Sequence, residues 1–484
     1  MMMMTGRKWC FSLTLVFMLL TVSLMGKRVF ANGYFNVTVE QAKSMVEAGP
    51  LLVILDVRTQ TEYDSGHIRN ARLMPLSQLE HLLEELDKNR KTLVYCFLGE
   101  QSIIACQILV ANNFTNVYNL FNGLSAWIEA GYPVYVRYNS LQEAINNSPV
   151  NGIIRVSVGN YTEDVTINKP LVFEGENKTR TIICHNTSYN TIILKANNIC
   201  IKDFTIKNGF YAIVCQQPTS LNLTLQNNII INNQIAGVAL YGAQHNVRGN
   251  IITNNGFGII IGGSGNDTIT QNIITNNSAS GIELRNSKNN KISKNLVAHN
   301  LRNIAFYTNS NDNTIVDNTI ADSSLGLTLH DSMWGLITKN LIKNNHIGIS
   351  LLNSNNNTLY HNNIINNSLQ LEHKDSINDW DNGFLEGNFW SDYNGTDANS
   401  DGIGDTFVPW QNVDNYPLTN PYFDGDFNHD RTVDEADAAL VQNAWQYLMG
   451  TVNYNPHADY NMDGIINIKD ATIVGLNWLK KWQD

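Results

Sequence analysis

Three short stretches of this 484-residue chain carry side chains whose types and spacing could do chemistry, and the first surrounds Cys96. Leu93-Val-Tyr-Cys-Phe-Leu-Gly-Glu-Gln-Ser102 is an apolar run, a cysteine, a glycine-containing loop, and a serine opening an apolar-periodic helix to about Asn112. A loop that closes at a helix N-terminus points backbone N–H groups into one concavity, which favours an anion. A cysteine on its rim has its thiolate stabilised, and the thiolate is the reactive form. Cys106 falls inside the same helix and reads as core rather than as a resolving thiol.

The other two stretches lie in the last sixty residues. Asp426, Asn428, Asp430, Asp434 and Asp437 put side-chain oxygens at positions 1, 3, 5, 9 and 12 of a twelve-residue loop, and the Thr432 carbonyl falls at position 7. Asp459, Asn461, Asp463, Asn467 and Asp470, with the Ile465 carbonyl, repeat the pattern 33 residues later. That spacing wraps a hard cation of the size of Ca2+. Helices are expected after each loop, from Ala438 to about Met449 and from Ala471 to about Trp482. A shorter run, Asp397-Ala-Asn-Ser-Asp401-Gly-Ile-Gly-Asp405, has the same rhythm and reads equally as another calcium loop or as a polar turn.

Between these ends the chain repeats itself. Gly-Val-Ala-Leu (237), Gly-Ile-Ile-Ile (258), Gly-Ile-Glu-Leu (281), Asn-Ile-Ala-Phe (303), Gly-Leu-Thr-Leu (326) and Gly-Ile-Ser-Leu (348) recur every 21 to 23 residues. Asn228, Asn250, Asn272, Asn295, Asn318, Asn340 and Asn363 keep the beat, with a second row at Asn233, Asn255, Asn277, Asn300, Ser323, Asn345 and Asn367. A repeat this short holds two or three brief strands and tight turns, without a helix. Stacking such units gives a right-handed parallel β-helix of nine or ten coils. Asparagine suits the bends, because it tolerates positive φ, and its amides can bond from coil to coil. Trp380, Phe389, Trp390 and Tyr393 are expected to cover the open end.

Residues 35–136 resemble a rhodanese (sulfurtransferase) domain. The shared text is Leu55-Asp-Val-Arg58, Glu62-Tyr63, Gly66-His-Ile68, Ala71, Pro75-Leu76, the Cys96 loop, Val117-Tyr-Asn-Leu-Phe-Asn-Gly-Leu-Ser-Ala-Trp127 and Ala130-Gly-Tyr-Pro-Val134. The resemblance implies that Cys96 takes a sulfane sulfur as a persulfide and passes it to a nucleophile. Phe97, Leu98, Gly99, Glu100, Gln101 and Ser102 would cradle the transferred sulfur, with Asp56 and Arg58 in the substrate-binding set. Active members usually carry arginines at the positions of Phe97 and Gln101. Here no cation is left and Glu100 adds a negative charge, so backbone dipoles alone must lower the thiol pKa. A degenerate domain with an inert cysteine is the alternative.

The repeat region resembles the β-helices of carbohydrate-binding proteins and sugar hydrolases, and the copper-accessory proteins of nitrous oxide reductase. Asp312, Asp317, Asp322, His330 and Asp331, with Tyr307 and Trp334, are the acids, bases and rings from which a sugar site would be built. They read more simply as turn residues and solvated faces. No Cys/Met/His cluster selects copper. The two loop–helix units, with Asp at position 12, resemble a dockerin, which implies calcium-dependent folding and a cohesin-type module on a surface or scaffolding protein as partner.

Arg7 and Lys8, the apolar run Phe11 to Met25, and Val29-Phe-Ala31 read as a secretion signal, with no membrane span after its removal; retention as an uncleaved anchor is the alternative. The formal net charge of -11, without a basic stripe, argues against nucleic acid. Twelve Asn-x-Ser/Thr sequons are compatible with a glycoprotein. Of the six cysteines Cys10 lies in the signal; Cys184, Cys200 and Cys215 lie together in the repeat and either pair or stack. The expected order is signal 1–31, α/β rhodanese-like domain 35–136, β-helix 137–395, Asp-rich linker 396–422 and a small all-α calcium-binding domain 423–484. The functional expectation is a secreted or surface sulfurtransferase on a β-helix arm. A non-catalytic glycan-binding or structural protein, or a polysaccharide lyase or hydrolase, stays open.

Overall fold

The computed structural model describes residues 33–185, 189–215, 220–383, 385–445 and 465–477. The expected signal, Asp459, Asn461 and Asp463 of the second loop, and the expected helix ends beyond 445 and 477 lie outside them. The chain divides into two compact units, residues 1–138 and 139–484.

The first unit is a parallel sheet of β1 (Phe35–Val37), β2 (Val53–Asp56), β3 (Arg72–Leu73), β4 (Thr92–Tyr95) and β5 (Val117–Leu120), in the order β1-β5-β4-β2-β3. Its strands are apolar on both faces because helices cover both. Leu55 and Val94 face one core with Cys96, Cys106 and Leu109, while Ile54, Leu93 and Tyr95 face another with Ala42, Leu124 and Trp127. The helices are α1 (Val39–Glu47), α2 (Gln60–Ser65), α3 (Leu79–Leu82), α4 (Glu100–Ala111) and α5 (Gly123–Glu129). Thr38 with Gln41 and Thr59 with Glu62 form capping boxes that start α1 and α2. Helix α4 begins at Glu100, so Ser102 lies inside its first turn.

The second unit opens with a helix that the repeat pattern does not announce, α6 (Leu141–Asn147). The Glu163 carboxylate, from the first coil, accepts the Leu141 and Gln142 amides at 2.6 and 3.1 Å. Leu141 and Ile145 are buried, as expected of a lid over the first coil. Three parallel sheets of 11, 10 and 10 strands follow, slightly more than the nine or ten coils expected. At the usual strand spacing the stack is about 50 Å long. Each sheet carries an inward column, and the sheet of Val238 and Leu240 carries two. Ile183, Ile206, Ile230, Ile252, Ile274, Val297, Ile320, Ile342, Ile364 and Trp390 stack in register, all fully buried.

The asparagine rows are real ladders, with the two roles of asparagine separated. A residue at positive φ turns the corner (Asn227, Gln271, Lys294, Asp317, Lys339, His361), and the ladder asparagine is the next one. Each ladder Nδ2 donates to Oδ1 of the following coil, through Asn228, Asn250, Asn272, Asn295, Asn318, Asn340, Asn362 and Asn388, at 2.9–3.1 Å. The seventh member is therefore Asn362. Asn363 instead bonds the Tyr422 amide and carbonyl. The column ends on buried Asp414, whose Oδ2 accepts the Asn388 amide at 3.0 Å and Trp390 Nε1 at 2.9 Å. Burial pushes the Asp414 carboxyl up to about 6, against the pull of these donors.

The second ladder breaks where the sequence writes Ser323. Asn300 Nδ2 donates at 3.0 Å to Asn303, three residues on, and Asn303 Nδ2 donates to the Ala321 carbonyl at 2.8 Å. Asn303 takes the place of the glycine in the other coils. A Cβ at Gly281, Gly326 or Gly348 would meet a ladder Nδ2 at 2.8–2.9 Å; beside Ser323 that space is open and Asn303 fills it.

Trp380 and Trp390 close the far end as expected. Trp410, stacked on Trp390 at 3.8 Å, completes the lid, whereas Phe389 stays half-buried and the Tyr393 hydroxyl bonds the Thr406 carbonyl. Segment 418–424 is not a loose tether. Leu418 donates to the Asn388 carbonyl, Lys339 meets Asp424 at 3.0 Å, and Tyr422 stacks on His361 at 3.9 Å. Beyond it α7 (Glu435–Asn443) and α8 (Ile468–Asn477) pack around Phe427, Val433, Val441, Ile466 and Val474. Among the described residues no helix is long and apolar enough to cross a membrane.

Candidate functional site

Strand β4 delivers Cys96 to the end of the sheet, and the chain then turns into α4. Two features fix the turn. The Leu124 amide donates to the Cys96 carbonyl at 2.8 Å and the Ser125 amide to the Phe97 carbonyl at 3.0 Å, so the start of α5 holds the loop's carbonyls. Gly123, at φ 60°, allows that approach: a Cβ there would lie 2.5 Å from both oxygens. With its carbonyls held on one side, the loop turns the Gly99 N–H toward the sulfur, which it reaches at 3.1 Å. Ser102 Oγ lies 3.7 Å from Sγ and donates to the Gly99 carbonyl at 3.0 Å. The N-terminal dipole of α4, twelve residues long, adds to the same field.

The thiol itself is 3% exposed, deeper than a rim position, whereas Phe97, Leu98, Glu100 and Gln101 are exposed around it. Asp56 and Arg58 come from the end of β2 but bond each other. Arg58 Nε donates to Asp56 at 2.9 Å, its Nη2 donates at 2.5 Å, and Nη2 also reaches the Gly66 carbonyl at 2.7 Å. Both are buried, so the guanidinium holds the β2–α2 turn rather than presenting a free cation. Cys106 lies behind Cys96; burial, then the neighbouring Cys96 charge, pushes its thiol far above the ordinary range, which fits a core residue. Cys184 and Cys200 are unpaired thiols in the β-helix.

In the described calcium-type loop, Asp426 Oδ1 accepts the Asp430 amide and Oδ2 the Arg431 amide. Asn428 accepts the Asp430 amide, Asp430 that of Thr432, and Asp434 caps α7. Asp437 accepts the amides of Phe427, Asn428 and Asp434. Asp426 and Asp437 are buried, and burial raises both carboxyls, Asp426 to about 6. Buried carboxylates without a Lys or Arg partner among the described residues fit a loop designed around a cation. Among those residues no three His, Cys, Asp or Glu side chains form a finished metal cage. The loop's remaining donors are an Asn and a backbone carbonyl. Of the second loop, Asn467 accepts the Lys469 amide and Asp470 the Asn467 amide, and Ile465 precedes them. The Asp397 loop reproduces the first loop's bonds: Asp397 accepts the amides of Asp401 and Gly402, Asn399 that of Asp401, and Asp401 that of Ile403.

The sugar-site candidates do not converge. Asp312, Asp317, Asp322, Asp331 and Trp334 all sit at positive φ, as corner residues of successive turns. Tyr307 and His330 pair in register, His330 meets Asp331 at 3.3 Å, and the Asp312 amide donates to the Met333 carbonyl beside Trp334. Sequence reasoning missed Leu124, Ser125 and Phe121 beside the thiol loop. Their signal was Asn122-Gly123, a left-handed turn whose position against residue 96 only the fold reveals.

Three family models match: a rhodanese-like domain over residues 38–130, a periplasmic copper-binding protein (NosD) over residues 118–310 and 277–395, and a dockerin type I domain over residues 424–475. A thiosulfate sulfurtransferase GlpE of Coxiella burnetii is 40% identical over 76 residues, 16% of this chain and 71% of that one. A cell surface glycoprotein of Methanothermus fervidus is 36% identical over 107 residues, 22% of this chain and 18% of that one. The crystal structure of a rhodanese-like domain protein from Staphylococcus aureus, 28% identical, covers 22% of this chain and 99% of that chain, with a TM-score of 0.20.

Proposed function

Because the chain belongs to the rhodanese-like family through its first domain and to the NosD family through its repeat, we propose a secreted or surface sulfurtransferase mounted on a β-helix. A dockerin domain would attach it to a cohesin-type module on a surface or scaffolding protein. Cys96 is the persulfide carrier, the amides of 97–102 receive the developing negative charge, and Asp56 with Arg58 positions the sheet end. The observation that carries this reading is the Gly99 N–H aimed at Cys96 Sγ from 3.1 Å, at the start of α4. Ca2+, when bound, supplies a hard charge that neutralises the loop carboxylates. Asp426, Asn428, Asp430, the Thr432 carbonyl, Asp434 and Asp437 would hold one ion, and Asp459, Asn461, Asp463, the Ile465 carbonyl, Asn467 and Asp470 the other.

The test is to treat the full chain and Cys96→Ser with thiosulfate or polysulfide, alkylate, and weigh the peptides. A persulfide mass on Cys96 supports the reading, and absence of any Cys96-dependent adduct removes it. A second reading, glycan binding by the rod, draws on an open polar trough lined by Asn276, Ser278, His299, Asp322, Asn344 and His346. A glycan array probed with the full chain separates it from the first.

A further inference from the structure

The surroundings of Cys96 differ in kind from a site built for an inorganic anion. Three large apolar side chains stand in solvent around a sheltered sulfur. Phe97 is 46% exposed and Leu98 62%, both within the loop. Phe121 is 56% exposed, just before the turn whose residues 124 and 125 hold that loop. Neither residues 96–104 nor residues 119–127 contain a lysine or arginine, and the first residue of α4 is an exposed acid, Glu100. Arg58, the cation of the neighbouring strand end, is buried and bound to Asp56 and the Gly66 carbonyl.

Charge arithmetic then separates donor classes. Thiosulfate brings two negative charges to a thiolate, beside Glu100, with backbone dipoles as the opposing field. Like charges a few ångströms apart in a partly desolvated site repel strongly. An organic persulfide, R–S–SH, brings one charge when ionised and none in the protonated form that a thiolate attacks, and an apolar R group would find Phe97, Leu98 and Phe121 to cover it.

We propose that this site takes its sulfur from organic persulfides carrying an apolar group, attacked in their protonated form, and that Phe97, Leu98 and Phe121 are its specificity-determining residues; the proposal rests on Cys96 being the sulfur carrier. In the step, the Cys96 thiolate attacks the outer sulfur of R–S–SH. The S–S bond of the donor breaks, R–S− leaves with the electron pair, and the proton stays on the new Cys96–S–SH. The thiolate's own negative charge leaves on R–S−, and the protonated donor brings none, so no guanidinium is required.

The experiment loads the full chain with octyl persulfide or with thiosulfate. Rates of Cys96 persulfide formation are read by alkylation and mass spectrometry, each divided by the rate for a free thiol with the same donor. The normalised preference for octyl persulfide is expected to be ~10-fold or more. Phe97→Arg should raise thiosulfate loading by about 10-fold, the effect of one added countercharge. Phe97→Ser with Leu98→Ser should slow octyl persulfide several-fold more than it slows thiosulfate. Both positions are exposed, so the fold tolerates these changes. Equal or better loading by thiosulfate, or no response to either variant, overturns the proposal while leaving the carrier role intact. No loading from either donor withdraws the carrier role and this inference with it.

Discussion

Asn303 and Ser323 should behave as one unit, and a double-mutant cycle measures it. Asn303 is fully buried and bonds Asn300 Nδ2 at 3.0 Å and the Ala321 carbonyl at 2.8 Å. Asn303→Gly removes these bonds and the one the Asn300 backbone N–H donates to Asn303 at 3.4 Å, while Asn300 Nδ2 keeps the Ile274 and Ala298 carbonyls, a loss of ~1–3 kcal/mol. Ser323→Asn pushes a second amide into the space Asn303 already fills, which costs ~1–3 kcal/mol as overpacking. The double variant restores the text of the other coils, glycine facing asparagine, and with it an unbroken ladder from Asn300 to Asn345. It should unfold close to wild type, giving a coupling of ~2 kcal/mol or more between the two sites. The assay is urea unfolding of the full chain followed by far-UV circular dichroism. Amide hydrogen exchange over 300–325 adds a local readout, because a solenoid can open coil by coil. Additive effects, within ~0.5 kcal/mol, would refute the idea that Asn303 substitutes for a missing rung.

Two further outcomes are expected. Burial raises the Asp414 carboxyl to about 6 in the folded chain, so its stabilising contribution is complete below the unfolded value near 4 and is lost as pH rises through 6. The stability difference between wild type and Asp414→Asn should therefore shift in favour of wild type by ~2 kcal/mol from pH 7.5 to pH 4.5, and a difference flat with pH in paired urea titrations would contradict this. Asp426→Ala removes the first ligand of the calcium-type loop; equilibrium dialysis of the full chain should show one fewer bound Ca2+ than wild type, and unchanged binding would exclude that loop as a site.

The sequence alone determined everything that repeats. A 22-residue beat of apolar and asparagine positions can stack only with itself in register, so the strands, their parallel pairing and the ladders are written locally. The family text around Cys96 likewise set the sheet, and the spacing of the aspartates set the loop bonds. Tertiary structure decided what does not repeat. Which corner asparagine turns the chain and which one climbs the ladder depends on a neighbouring coil, so Asn362 and Asn363 look alike in the text and differ in role. Asp414 and Trp410 reach the last rung from 26 and 20 residues beyond Asn388 and Trp390. Arg58 is consumed by Asp56, and Phe121 comes to the same end of the sheet as Cys96, just beyond the strand paired with β4. Such contacts join segments distant in sequence through burial and hydrogen bonding, and periodicity carries no record of them.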